Sequence, residues 1–154
     1  MPATIEFYAG NAKAIVKAVQ EGEDPRKLKN TVGYVNLSFH LPPITSIDQL
    51  VEAINRELNT ELPSFEEALE DGQLLEDEED KSVDLVDSEW VKAVAGLKDV
   101  PVEPVFARWV EIMSEEEGAK ISPSPKLKIA LGEFLQLVRK TSAQKVSLLH
   151  VWSF

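Results

Sequence analysis

The last ten residues set the tightest limit on what this chain can fold into. Lys145 to Phe154 (KVSLLHVWSF) alternates at the strand period of two, with Val146, Leu148, His150, Trp152 and Phe154 on one face and Leu149 and Val151 on the other. A strand that is apolar on both faces belongs inside a sheet rather than at its edge, because each face needs something packed against it. Three further stretches read as strands. Thr4–Tyr8 places Ile5 and Phe7 on one face. Val32–His40 alternates Val35, Leu37 and Phe39 with Tyr34, Asn36 and Ser38 until Pro42 and Pro43 stop it. Ser82–Val86 is short. The first and last strands are expected to pair, since chain ends often lie close together.

Helical spacing fills the remainder. Asn11 is a suitable N-cap for Ala12–Gln20, whose Ile15, Val16 and Val19 share a face. Ser46 and Gln49 have capping-box spacing ahead of Ile47, Leu50, Val51, Ile54 and Leu58, which predicts a helix near 47–59. Ser64 and Glu67 repeat the pattern before a shorter helix at 65–70. Asp87 or Ser88 caps a helix through Trp90, Val91, Val94 and Leu97. Pro104 suits the first turn of a helix through Glu117. The longest helix, about 126–142, turns Leu127, Leu131, Phe134, Leu135 and Val138 to one side.

These elements predict an α+β fold, a single globular domain over 1–154 with a small mixed sheet of about three to four strands packed against five to six helices. A chain of 154 residues buries enough surface to fold without staples. Phe39, Leu50, Ile54, Leu131, Phe134, Leu148 and Trp152 are the expected core.

Charge is distributed unevenly. The formal net charge is −11, and residues 61–89 hold 13 acids against one base, Lys81. Five acids are consecutive: Glu76, Asp77, Glu78, Glu79 and Asp80. Adjacent carboxylates cannot pack without losing water or taking up protons, which predicts an acidic mobile loop near 71–82. Beyond residue 117 the balance reverses, with six bases and one acid, Glu133. An acidic chain repels phosphodiesters and anionic lipid, so neither nucleic acid nor membrane is an expected partner. A basic protein is the expected one, drawn to the five acids by their field.

The chain has no cysteine, which removes disulfides, thiol nucleophiles and iron–sulfur clusters together. A cytoplasmic address accords with that composition. Phosphate-loop, dinucleotide-binding, zinc-protease and nucleophile-elbow motifs are absent. The acidic run lacks the alternating ligands and turn glycine of a calcium loop, so no metal and no cofactor are expected. The two histidines, His40 and His150, each end a predicted strand, and neighbouring strands would bring them together as an acid–base pair or half a metal site. Such a strand-end histidine more often faces solvent or bonds a carbonyl.

One further candidate lies at the start. Pro2 follows Met1, and the order proline–strand–helix–strand over about the first 40 residues resembles the tautomerase superfamily. That resemblance implies a Pro2 amine acting as general base. Its usual substrate-binding arginines are replaced here by Lys13 and Lys17, with Arg26 in the following loop. The balance of these features points away from an enzyme and toward a small cytosolic accessory protein that acts through protein contact, with the tautomerase-like enzyme as the alternative.

Overall fold

The computed structural model describes residues 4–39, 41, 44–71, 74–78, 81–97, 99–117 and 124–153, of which 70, 71, 74–78, 81 and 117 are described by backbone alone. The chain runs β1 (Thr4–Gly10), α1 (Ala12–Gln20), a 3-10 turn (Pro25–Lys27), β2 (Gly33–Asn36), α2 (Thr45–Leu58), α3 (Phe65–Asp71), β3 (Leu74–Glu78), β4 (Lys81–Leu85), α4 (Ser88–Ala95), α5 (Val102–Glu117), α6 (Pro125–Gln144) and β5 (Ser147–Ser153). It is an α+β fold, as the alternation of periods predicts.

One sheet has the order β2-β1-β5-β4-β3. β5 lies in its interior and pairs antiparallel with β1 over Thr4↔Ser153 to Gly10↔Ser147, so the two ends of the chain do meet. Two details of the sheet differ from expectation. It holds five strands, and every pairing is antiparallel rather than mixed. The extra strand is β3, which takes Glu76, Asp77 and Glu78 out of the predicted loop and pairs them with Val83, Ser82 and Lys81. A strand needs only backbone partners along one edge, so carboxylates that cannot be packed can still be strand residues. The register slips between Leu74 and Glu76, making Leu75 the extra residue of a bulge. Glu79 and Asp80 lie outside the described residues.

The two faces of the sheet are covered unequally. Ile5, Phe7, Ala9, Val35, Leu37 and Leu148 join the large core built with α2 to α6. Tyr8, Val83, Leu149 and Val151 meet only Ile15 and Val19 of α1 and their neighbours. Phe7 anchors the larger core, its ring 4.8 Å from Phe134 and 5.9 Å from Phe65. Trp90 and Trp109 are buried and place their indole N–H groups on the carbonyls of Pro63 and Ser46. Of the expected core, Leu50, Ile54, Leu131, Phe134 and Leu148 are buried, whereas Phe39 and Trp152 are half-buried. α6 packs closely on β2 at Gly33: a Cβ there would stand 2.4 Å from Leu137 Cδ1, and that side chain would have to shift.

Capping follows the sequence at three helices, departs from it at one, and adds Ser124 at α6. Asn11, Ser64, Asp87 and Ser124 each accept a backbone N–H at the start of α1, α3, α4 and α6. Ser46 does not cap α2, because the helix begins a residue earlier and buries Ser46 within its first turn. Gln49 instead donates from Nε2 to Glu116 of α5. Asp48 reaches across to accept from the backbone N–H groups of Phe65 and Glu66, tying α2 to the start of α3.

Candidate functional site

The register of the central strands builds a polar row inside the core. Asp84 of β4 lies directly opposite His150 of β5, which lies opposite Phe7 of β1. Asp84 Oδ1 accepts from Ser82 Oγ at 3.3 Å, and Asp84 Oδ2 faces His150 Nδ1 at 3.4 Å. A carboxylate only accepts, so this contact puts the proton of a neutral imidazole on Nδ1. His150 Nε2 is buried without a partner, and the ring is held between Phe7 at 5.1 Å and the edge of Phe65 at 5.3 Å.

This row cannot run as a nucleophile chain. A serine is activated when histidine stands between it and the acid. Here the acid stands between serine and histidine, so Ser82 gives its proton to Asp84 and gains no base. The imidazole is fully buried and both contacts are long for hydrogen bonds. The arrangement aligns β4 with β5 inside the core. His150 stands at the middle of β5 rather than near a strand end, and it is buried instead of turned to solvent.

His40 and Pro2 lie outside the described residues. β1 separates β2 from β5, so the strands expected to join the two histidines are not neighbours. β1 and β2, which flank α1, pair antiparallel. Among the described residues no group of three or more histidine, aspartate or glutamate side chains converges in a way that could hold a metal ion.

A second cluster, missed in the sequence, occupies the thinly covered face. Tyr8 and Tyr34 are cross-strand partners with rings 5.0 Å apart, and Tyr8 donates its hydroxyl to Glu6. Burial pushes the Tyr8 hydroxyl far up, and the hydrogen bond and charge of Glu6 push it further. Burial also raises Tyr34. Arg26 lies 4.9 Å over the Tyr34 ring and grips Asp24 with two nitrogens at 2.7–3.0 Å. That grip holds the exposed Asp24 carboxyl at about 2. Both tyrosines stay neutral and offer no base, so the cluster clasps the 3-10 turn to the sheet. Its sequence signal is the pairing of Glu6 and Tyr8 at i, i+2 on a strand, a spacing shared by countless solvated strands.

Of the five acids named from the sequence, three fall at the sheet's outer strand. Glu76, Asp77 and Glu78 occupy β3, which has β4 on one side and no described strand on the other. β3 therefore carries a row of outward N–H and C=O groups that this sheet does not use. Comparison with family models, with curated proteins and with solved structures gives no match.

Proposed function

We propose that the protein is a non-enzymatic interaction module that docks a basic, extended protein segment on the outer edge of β3. The supporting observation is the position of the acidic run on an edge strand: carboxyl-bearing residues and an unused backbone edge coincide at Leu74–Glu78. Strand addition supplies main-chain hydrogen bonds, while charge decides which strand is admitted. The same acids forbid two copies of β3 from pairing with each other, and the bulge at Leu75 shortens the regular edge further. A lysine-rich strand meets no such repulsion. About half of the five backbone units point outward, so the affinity is modest and the charge contributes mostly to the rate of encounter. A cytoplasmic address goes with this reading, in keeping with a chain that has no cysteine to oxidise.

Calorimetric titration with a synthetic peptide alternating lysine and valine tests the reading. Binding is expected to weaken as salt rises, because the screening length falls from about 10 Å at 0.1 M to about 3 Å at 1 M. Changing Glu76, Asp77, Glu78, Glu79 and Asp80 to Gln or Asn is expected to weaken it and to slow association. Affinity indifferent to salt, or unchanged in the neutralised chain, would overturn the reading.

A further inference from the structure

We propose that two adjoining hollows at the opposite end of the sheet bind an organic phosphate, with its anion among Lys13, Lys29 and Lys145 and its apolar body against Val86, Val91 and Leu148. The hollows are each about 710 Å³, in the range of small-molecule sites, and share Lys145, Val146 and Ser147 as a common wall. One is lined by Asn11, Lys13, Lys29 and Asn30 around the end of β1. The other opens between the end of β4, the start of α4 and the last turn of α6, and adds Ser88 and Ser142 to its apolar residues.

The lysines stand where local stability would choose otherwise. Among the described residues none of the three has an acidic partner, although the chain carries 27 acids. Lys13 lies in the first turn of α1, which contains no acid, so its charge opposes the positive end of the helix dipole. Lys145 caps α6 in the left-handed conformation at φ 55, which favours glycine or asparagine. Its charge suits the end of α6, but its backbone does not. Three exposed lysines without a described acidic partner line one hollow beside the amino end of α1, and a phosphate dianion answers all of these groups at once.

The acidic edge does not cancel this field. Ser147 lies at the lysine end of β5, while the nearest described acid of β3 by register is Glu76, opposite Val83 and hence Val151, four residues along β5 and two strands over. That is about 13 Å along the strand and about 10 Å across it, together about twice the screening length of about 8 Å at physiological salt. Within the hollows the acid is Asp87, which is engaged in capping α4.

Phenyl phosphate is the probe, titrated into the isotopically labelled chain and followed by backbone amide resonances, with inorganic phosphate and the variant Lys17→Gln as controls. Lys17 is an α1 lysine that lines neither hollow. Saturable shifts are expected at residues 10–13, 29–32 and 145–148, with phenyl phosphate binding more tightly than inorganic phosphate. Lys13→Gln, Lys29→Gln and Lys145→Asn should each weaken binding about three- to tenfold. Lys17→Gln should change it less than about twofold. No saturation by about 10 mM, or an equal loss in Lys17→Gln, would overturn the site. Equal affinity for the two phosphates would overturn the apolar half of the assignment.

Discussion

β5 and β3 are two strands of one sheet, separated only by β4, and they use their surfaces in opposite ways. β5 is hydrogen-bonded along both edges and buries Leu148, Leu149, His150 and Val151. β3 is bonded along one edge, carries three acids in five residues and is broken by a bulge. The interior strand holds the sheet together, and even its one titratable side chain is enclosed. The edge strand is joined to the sheet through β4 alone, which leaves its outer edge open to another demand. Stability and recognition are therefore separable in this molecule, and substitutions in the two strands should produce different kinds of effect.

The largest effect is expected in the core that β5 shares with α6. Phe134→Ala removes a buried ring tilted against Phe7 and should cost about 3–5 kcal/mol in a denaturant titration. A loss well under 1 kcal/mol would mean that α6 does not carry the core. The next is Asp84→Ala, which removes the carboxylate that His150 Nδ1 and Ser82 Oγ face and should cost about 1–3 kcal/mol. By contrast, neutralising Glu76, Asp77 and Glu78 should move stability by less than about 0.5 kcal/mol while weakening peptide binding and slowing association. If that substitution unfolded the protein, the separation between the two strands would fail.

Alkaline pH sharpens the contrast from the other face. Tyr8 and Tyr34 ionise at higher pH in the folded chain than in the unfolded one. The unfolded state thus loses its protons first, and the stability these groups contribute is present below about pH 10 and declines as pH rises from there toward the folded values. Chemical denaturation between pH 9 and 12 should show that decline, and Tyr8→Phe should remove most of it. The smallest effect lies at the surface clasp. Asp24 should titrate near 2 by carboxyl carbon resonances and return toward its ordinary value of about 3.8 in Arg26→Gln. Since its folded value is the lower one, what it contributes is present above the ordinary value and is lost as pH falls through about 2.

The interior place of β5 was legible because two apolar faces leave a strand no other position. The helices were legible because 3.6-residue stripes and caps are local properties. β3 was not, since its acids obscure a backbone pairing that depends on β4 and not on composition. The polar row was hidden for a related reason. Alternation in Ser82-Val83-Asp84-Leu85 suggests that Ser82 and Asp84 face water, and only the register against β5 turns them inward to meet His150. Ser46 misled because a serine three residues before a glutamine caps a helix only if the helix starts after it. The acidic segment was visible at once as a recognition candidate, but its strand geometry was not. The lysine cleft draws Lys13, Lys29 and Lys145 from separate segments of the chain and leaves no spacing to read.

The central claim, that β3 offers its outer edge to a basic strand, is tested most directly by amide hydrogen exchange at Leu74–Glu78 with and without the alternating lysine–valine peptide. The account expects the outward-facing amides of β3 to exchange quickly in the free protein and to become protected when the peptide is added, with β5 amides unchanged. Peptide bound at saturation with no added protection anywhere in β3 would contradict it.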